Sequence, residues 1–189
     1  AAGYYVAGAA VSVADLGGGN DAGLVQLVDG ETGAVKATVD VGAPIRAGVV
    51  ALPETARAGA GDRFAVVSSD GVLHLVAREG DHLAEAGSVR FAGKSTSTPA
   101  VSGGKAFVCG ADDQGYGTLS VIDLASLSVE RTVRGGKGEA QSSPLVSVQG
   151  DGTYAYFTCN GLPGGVYGYR LGDEAAYTLF PPDAGEQNY

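Results

Sequence analysis

The sequence predicts an all-β fold made of about four consecutive units, each with four antiparallel strands. Three observations support this prediction. Apolar residues occur in short runs rich in Val, Tyr, Phe and Leu, separated by Gly, Asp and Asn, which is typical of strands and turns. The 32 glycines exceed twice the usual share of about 7% and indicate many tight turns. The strand pattern also repeats, and a period of about 40–50 residues is characteristic of β-propeller blades.

The repeat is visible at two places in each unit. Ser97-Thr98-Pro99 has a counterpart in Ser142-Ser143-Pro144, 45 residues later. The third predicted strand ends, at intervals of 46 to 48 residues, near Asp29, Ala77, Asp123 and Arg170. One twisted four-stranded sheet has two apolar faces, so each unit needs a neighbour on both sides.

We predict a single β-propeller region over residues 1–189, with units at 1–42, 43–94, 95–139 and 140–189. Unit one begins at a second strand and lacks its first. Strands are predicted at 63–69, 72–78, 105–110, 118–124, 153–159 and 165–171. Helix should occupy less than about 15% of the chain, with at most one turn in the Ala- and Gly-rich stretch 53–62.

Composition and charge exclude several classes of function. The net charge is −9 and the few Lys and Arg are scattered, which argues against nucleic acid and anionic membranes as partners. No apolar run approaches the roughly 18 residues of a membrane span. The chain has no Met and begins at Ala1, so we interpret it as a piece of a larger secreted or surface-anchored bacterial protein.

One segment contains a turn motif that is typical of a known family of propellers. Leu27–Lys36 resembles the Leu-Asp-x-x-Thr-Gly turn between the third and fourth strands of quinoprotein-dehydrogenase-like propellers, also called pyrroloquinoline-quinone-repeat propellers. Asp29 can cap such a turn and Gly33 can take a positive φ. Unit three keeps part of the motif around Asp123. The resemblance implies a propeller fold.

The sequence lacks the residues on which the activity of that family depends. The family motif usually closes with a Trp that docks between blades, but Ala37 and Arg131 stand there and the chain has no Trp. Quinone-dependent members stack their cofactor on Trp and use acidic residues with calcium, and often a vicinal Cys pair. None of these can be placed here. The resemblance therefore implies the fold without the enzyme activity, and we assign no catalytic residue, cofactor or metal.

Several polar segments are candidate binding sites. Gly17–Gly23 is similar to a nucleotide-binding loop, but a strand follows it where such loops open a helix, so a plain connection is favoured. Asp21, Asp112 and Asp113 lie in equivalent loops that could hold calcium, although calcium usually needs several carboxylates from one loop. His74 and His82 lack evident co-ligands, which favours structural or surface roles.

The two cysteines, Cys109 and Cys159, are predicted to be buried free thiols. They end the aromatic second strands of adjacent units, and we predict that they occupy matching positions on those strands. Matching positions point the same way from their sheets, so one thiol would face the neighbouring unit and the other would face away. A disulfide, which needs Cα atoms within about 7 Å, is therefore not favoured.

Tyrosines in the last unit form the candidate interaction face. Tyr154 and Tyr156 share one face of a strand, and Tyr167 and Tyr169 share one face of the next. They could form an aromatic platform for a protein or a carbohydrate, since Tyr suits interfaces. Packing between units explains them equally simply, and we favour it.

These observations favour a non-catalytic β-propeller module for binding or scaffolding. The alternative is a fragment of a quinoprotein-type oxidoreductase whose cofactor residues lie elsewhere. The Pro-containing tail 180–189 is a poor central strand and should not close the ring. We therefore expect the end units to pair with something, either as a homodimer or with further blades of the same protein.

Overall fold

The computed structural model describes residues 4–12, 21–53, 61–161 and 164–180, with only the backbone described for residues 4–12 and 21. All regular elements in these residues are β strands. In chain order they are β1 (Tyr4–Ser12), β2 (Asp21–Asp29), β3 (Val35–Asp40), β4 (Val50–Ala51), β5 (Asp62–Ser68), β6 (Val72–Glu79), β7 (His82–Arg90), β8 (Ala100–Ser102), β9 (Lys105–Ala111), β10 (Tyr116–Asp123), β11 (Ser128–Lys137), β12 (Leu145–Gln149), β13 (Gly152–Cys159), β14 (Gly165–Arg170) and β15 (Tyr177–Phe180).

The strands form four antiparallel sheets in which each strand pairs with its neighbours along the chain. Sheet 1 contains β1–β3, sheet 2 contains β4–β7, sheet 3 contains β8–β11 and sheet 4 contains β12–β15. The all-β prediction is confirmed, and all six predicted strands are present within two residues at either end. Each sheet falls within one predicted unit, while the exact unit boundaries stay a prediction. The stretch considered for a helical turn lies mostly outside the described residues.

Three apolar layers join the four sheets into a stack. The layer between sheets 1 and 2 contains Val25, Val41, Ile45, Val66 and Val76. The layer between sheets 2 and 3 is centred on Leu52, Leu73, Leu75, Val108, Ile122 and Leu124. The layer between sheets 3 and 4 includes Phe107, Leu119, Val121, Phe157 and Tyr169. Each fully buried side chain of this size stabilises the fold by about 1.5–3 kcal/mol, so the inter-sheet layers are the core.

The repeated Ser-x-Pro segments connect successive sheets at their first strands. The Gly48 N–H donates to Thr98 Oγ1 at 2.7 Å, and the Thr98 N–H donates to Ser143 Oγ at 3.1 Å. A parallel bond runs from Thr96 Oγ1 to the Gln141 carbonyl at 3.3 Å. The hydroxyl residues recur because they supply acceptors and donors to the neighbouring segment, while Pro99 and Pro144 start the strands that follow.

The family-like turns are built as the sequence predicts. Asp29 Oδ1 accepts the N–H groups of Glu31 and Thr32 and the Thr32 hydroxyl, and Gly33 has φ +73°. Asp123 caps the turn of sheet 3 in the same way. There Leu127 takes the place of the glycine, with φ +50°.

Leu127 makes a contact between sheets 2 and 3. Its Cδ1 lies so close to β7 that a Cβ added at Gly87 would be 2.5 Å from it. The side chain belongs to the layer between sheets 2 and 3. A non-glycine residue with positive φ is strained, and this contact helps to offset that strain.

Replacing Asp29 by alanine should lower the melting temperature at neutral pH. The hydrogen bonds from Thr32 and Glu31 hold the pKa of Asp29 below its usual 3.8. A carboxyl with a depressed folded-state pKa stabilises the fold above the unfolded-state value and loses that effect as the pH falls through the folded-state value. Thermal unfolding should therefore show the wild type and the variant converging below pH 3.8, and a constant difference would contradict this role.

Candidate interaction face of the fourth sheet

Sheet 4 has two chemically different faces. Across β13 and β14, Ala155 pairs with Tyr169 and Phe157 pairs with Tyr167, so these four side chains share one face. This back face packs against sheet 3. The neighbouring positions, which include Tyr154, point to the opposite side, here called the front face.

The structure divides the four predicted tyrosines between these faces. Tyr169 is 1% exposed and its hydroxyl donates to the Asp173 carbonyl at 3.3 Å. The ring of Tyr167 packs on Phe157 with centroids 5.6 Å apart, and its hydroxyl donates to the Gly164 carbonyl at 3.2 Å. The four tyrosines therefore do not form one exposed face: Tyr167 and Tyr169 pack between sheets 3 and 4, as favoured above, and an interaction role for Tyr154 and Tyr156 stays a prediction. Tyr167 and Tyr169 pack between these sheets because they pair with Phe157 and Ala155, and not with Tyr154 or Tyr156.

The front face combines Tyr154 and Tyr156 with apolar residues from the outer strands. By register, Leu145 of β12 lies beside Tyr156, and Phe180 of β15 lies beside Val166. Leu145 is 67% exposed and Phe180 is 68% exposed. The front face is defined here as Leu145, Tyr154, Tyr156, Val166, Tyr177 and Phe180. In sheets 1 to 3, the corresponding face is apolar and is covered by the next sheet along the chain.

A glycine positions one ring of the front face. Tyr177 pairs with Gly168, and a Cβ added there would lie 2.5 Å from Tyr177 Cζ. Desolvation raises the pKa of Tyr177, with a smaller contribution from Tyr156 beside it. Gly168 and Leu145 were missed by sequence reasoning, because they join this face only through the pairing of β14 and β12 with β13. Tyrosines suit a protein interface because each combines an apolar ring with a hydroxyl that can form a hydrogen bond.

The edge of the front face is polar. The Tyr154 hydroxyl donates to Asp151 Oδ2 at 2.7 Å, a hydrogen bond that raises the pKa of Tyr154 and lowers that of Asp151. Arg170, also on this face, donates from Nη2 to the Asp151 carbonyl at 2.6 Å. A polar edge around an apolar centre is the usual anatomy of a protein interface.

Sheet 2 contains a hydrogen-bonded chain that resembles a nucleophile with its base. Ser68 Oγ is 2.9 Å from His74 Nε2, and His74 Nδ1 is 2.7 Å from Glu85 Oε1. However, Ser68 is 0% exposed and His74 is 5% exposed, so no substrate can reach the hydroxyl. His74 is structural, as predicted, and His82 is exposed. The two partners of His74 come from β5 and β7, on either side of β6, and the sequence did not show that they would meet.

Of the loop carboxylates considered for calcium, Asp112 is already bound by groups of the chain itself. Asp112 Oδ1 accepts the N–H groups of Gln114 and Tyr116 at 2.9 Å, and its Oδ2 is 2.7 Å from Arg134 Nε. Desolvation opposes the shift, but these bonds and the Arg134 charge hold the pKa of Asp112 below its usual range. Asp113 is exposed. Among the described residues no group of three His, Cys, Asp or Glu could hold a metal ion. The Asp21 side chain and most of Gly17–Gly23 lie outside the described residues.

Comparison with known proteins gives a structural likeness. No family model and no curated sequence matches the chain. The structure is similar to BamB from Moraxella catarrhalis, a β-propeller, with a TM-score of 0.55 over 85% of this chain and 45% of that one. The chain has a β-propeller fold. It spans less than half the length of BamB, and the 17% identity supports the fold alone. No helix in the described part of the chain could span a membrane.

The two propeller cysteines meet within one layer. Both are free and buried, which confirms two buried thiols. Cys109 points toward sheet 4 and Cys159 points toward sheet 3, because both belong to the layer between these sheets. The prediction that the cysteines occupy matching positions was wrong. β13 starts 47 residues after β9 (152 − 105), so the counterpart of Cys109 is Tyr156 (109 + 47). Cys159 lies an odd number of residues beyond Tyr156, and its side chain is therefore on the other face of the sheet. Burial raises the pKa of both thiols, to about 11 for Cys159.

These thiols should be unreactive in the folded protein. At pH 8, where a raised pKa leaves almost no thiolate and burial blocks access, an alkylating reagent should label neither cysteine within minutes. Denaturation without a reductant should release two titratable thiols per chain. Fewer than two without intermolecular crosslinks would contradict the free-thiol assignment.

Proposed function

We propose that this chain is a non-catalytic β-propeller module that binds or scaffolds protein in a larger secreted or cell-surface protein. The observation that carries this proposal is the front face of sheet 4. The three apolar layers between adjacent sheets are covered, whereas on the front face Leu145 and Phe180 are about two-thirds exposed and Tyr177 is 39% exposed. Exposed apolar patches with polar edges mark interaction sites.

The composition of the front face favours a protein over a carbohydrate. A sugar platform needs an open aromatic ring, but Tyr177 packs against Gly168 and Tyr154 is bound to Asp151. Leu145 and Val166 add aliphatic surface that suits a second apolar sheet. The partner of the front face is therefore a protein surface that packs on it as one blade packs on the next.

The simplest partner is a second copy of the chain. Four sheets cover 45% of the BamB chain, so two copies related by a twofold axis would supply the sheets of about one such propeller. Further blades of the same protein would cover the face equally well. In both cases the stabilising contribution is apolar area removed from water, roughly 25 cal/mol per Å².

Light scattering at micromolar concentration tests this proposal. The wild-type chain should be dimeric, and Leu145→Glu should make it monomeric because a charge would be buried without a partner. Val148→Glu is the matched control: Val148 is on the same strand and 70% exposed, but lies on the other side of the strand. A monomeric wild-type chain would contradict self-pairing, and equal effects of both variants would contradict the assigned face.

A further inference from the structure

Each apolar layer of the stack joins two different kinds of sheet face. In β10 of sheet 3, Leu119 and Val121 lie in the layer shared with sheet 4, whereas Ile122 lies in the layer shared with sheet 2. Sheet 2 is divided in the same way, with Leu75 of β6 toward sheet 3 and Val76 toward sheet 1. Every layer thus packs the forward face of one sheet, toward later residues, on the rearward face of the next. The front face of sheet 4 is a forward face, so a rearward face is the surface that fits it.

The rearward face of sheet 1 lies outside the three layers. Val25 of β2 packs in the layer with sheet 2, and Leu24, Gln26 and Val28 alternate with it along the strand. These three residues therefore lie on the opposite side of sheet 1 and are here called its outer face. In the described part of the chain, the outer face of sheet 1 is the rearward face without a sheet behind it, as the front face of sheet 4 is the forward face without a sheet ahead.

The residues that correspond to Val28 in the other sheets are completely buried. Val76, Ile122 and Tyr169 follow Val28 at successive intervals of 46 to 48 residues, in the third strands of sheets 2, 3 and 4. Each of them faces the preceding sheet and is 0–1% exposed. Val28 itself is half-buried. A missing neighbour on the rearward side of sheet 1 accounts for this difference, because each blade needs cover on both faces.

Gln26 shows the same difference at a polar position. His74 of sheet 2 and Ser120 of sheet 3 occupy the corresponding positions, and both are buried and hydrogen-bonded. Ser120 Oγ donates to the Phe91 carbonyl at 3.3 Å, in the segment that crosses from sheet 2, so a residue here can bond to the unit behind it. Gln26 is half-buried, and its side chain forms no hydrogen bond with the described part of the chain. A sheet packed on the outer face would bring polar groups within reach of its amide.

The shape of the front face fits the outer face of sheet 1 better than it fits a second front face. Between sheets 3 and 4, large side chains enter spaces left by glycines: a Cβ added at Gly135 would lie 2.9 Å from Phe157 Cε2. On the front face, Gly168 is already covered by Tyr177 of the same sheet. Two front faces would therefore bring aromatic rings against aromatic rings. The outer face of sheet 1 is aliphatic and polar, and the β1 residues paired with two of its members are alanines.

We propose that the front face of sheet 4 binds the outer face of sheet 1 on a second copy of the chain. This inference rests on the proposed pairing of the front face with a second copy, and it specifies the surface that the front face contacts. Two copies related by a twofold axis then make two identical contacts and close eight sheets into one ring. Each contact continues the forward-to-rearward packing of the three layers within the chain. A front face bound to a front face would leave both outer faces open.

Sedimentation velocity of the full chain tests the outer face. Gln26→Glu keeps the size of the side chain but places a carboxylate in the contact, so the dissociation constant of the dimer should rise about tenfold or more. Thr38→Glu is the matched control and should leave that constant unchanged. Thr38 pairs with Gln26 but is exposed, and the equivalent residues Ser88 and Thr132 are exposed even in the covered sheets. A wild-type dimer that Gln26→Glu does not weaken would overturn the inference, whereas a monomeric wild-type chain would contradict self-pairing as well.

Mixing two variants distinguishes this arrangement from front-to-front pairing. Leu145→Glu disables the front face and Val28→Glu the outer face, so each variant alone should be monomeric. Their mixture should form a heterodimer, because one variant keeps an intact outer face and the other an intact front face. It should be weaker than the wild-type dimer, since one contact remains of two. A dimeric Val28→Glu chain that forms no heterodimer with Leu145→Glu would overturn the inference, whereas a dimeric Leu145→Glu chain would contradict the proposed function. Gln26→Glu tests the same face if Val28→Glu does not fold.

Discussion

Replacing Phe157 by alanine is expected to lower the free energy of unfolding by about 3–5 kcal/mol. Phe157 is 2% exposed and lies in the layer between sheets 3 and 4, with its ring on Tyr167. Truncation removes the transfer free energy of the ring and leaves a cavity that two rigid sheets cannot close. Chemical denaturation monitored by circular dichroism measures the loss.

The matched control for Phe157 is Val148→Ala. Val148 belongs to the same sheet but is 70% exposed, so its truncation should change stability by less than about 0.5 kcal/mol. Equal losses at the two positions would mean that the layer between sheets 3 and 4 is not the core of this end of the stack. An unchanged free energy of unfolding in Phe157→Ala would show that packing between sheets 3 and 4 does not stabilise the fold.

Replacing Gly138 by alanine should destabilise the fold by about 3 kcal/mol or more. Gly138 follows β11 with φ +86°, and a Cβ there would overlap the backbone N and Cα of Gly161. The Gly161 N–H donates to the Lys137 carbonyl at 2.9 Å, so the two backbones are held in contact. Neither can move aside without breaking that bond, because the obstacle is main chain and not a flexible side chain.

Gly80→Ala is the matched control, because it measures the effect of a positive φ on stability without an overlap with neighbouring backbone. Gly80 has φ +60° but nothing within 4 Å of its Cβ position, so alanine there should cost only the left-handed conformation, about 1 kcal/mol. Urea unfolding of the two variants gives the comparison. If both lost the same stability, the contact between Gly138 and Gly161 would contribute nothing.

Local patterns were sufficient to predict the architecture. Strand positions follow from alternation with a period of two and from glycines at turns, and both depend on residues close in sequence. The interval of 46 to 48 residues then implied repeated sheets. The Asp29 turn was also predictable, because its hydrogen bonds join residues at most three positions apart.

The functional features depended on register, which sequence alone does not specify. Tyr156 and Tyr167 are on opposite faces because of how β13 pairs with β14, and a shift by one residue would exchange the faces. The same parity placed Cys109 and Cys159 in one layer, contrary to the prediction from their apparent equivalence. Leu145 joined the candidate face only through its pairing with Tyr156.

The sequence by itself determined that this chain is a repeat of antiparallel sheets with turn glycines and two unpaired cysteines. Tertiary structure alone decided which apolar face is left open, which tyrosines are buried and which polar groups surround His74. The physical reason is the range of the interactions. Hydrogen-bonded turns and strand periodicity act over a few residues, whereas Ser68, His74 and Glu85 meet only after three strands have paired.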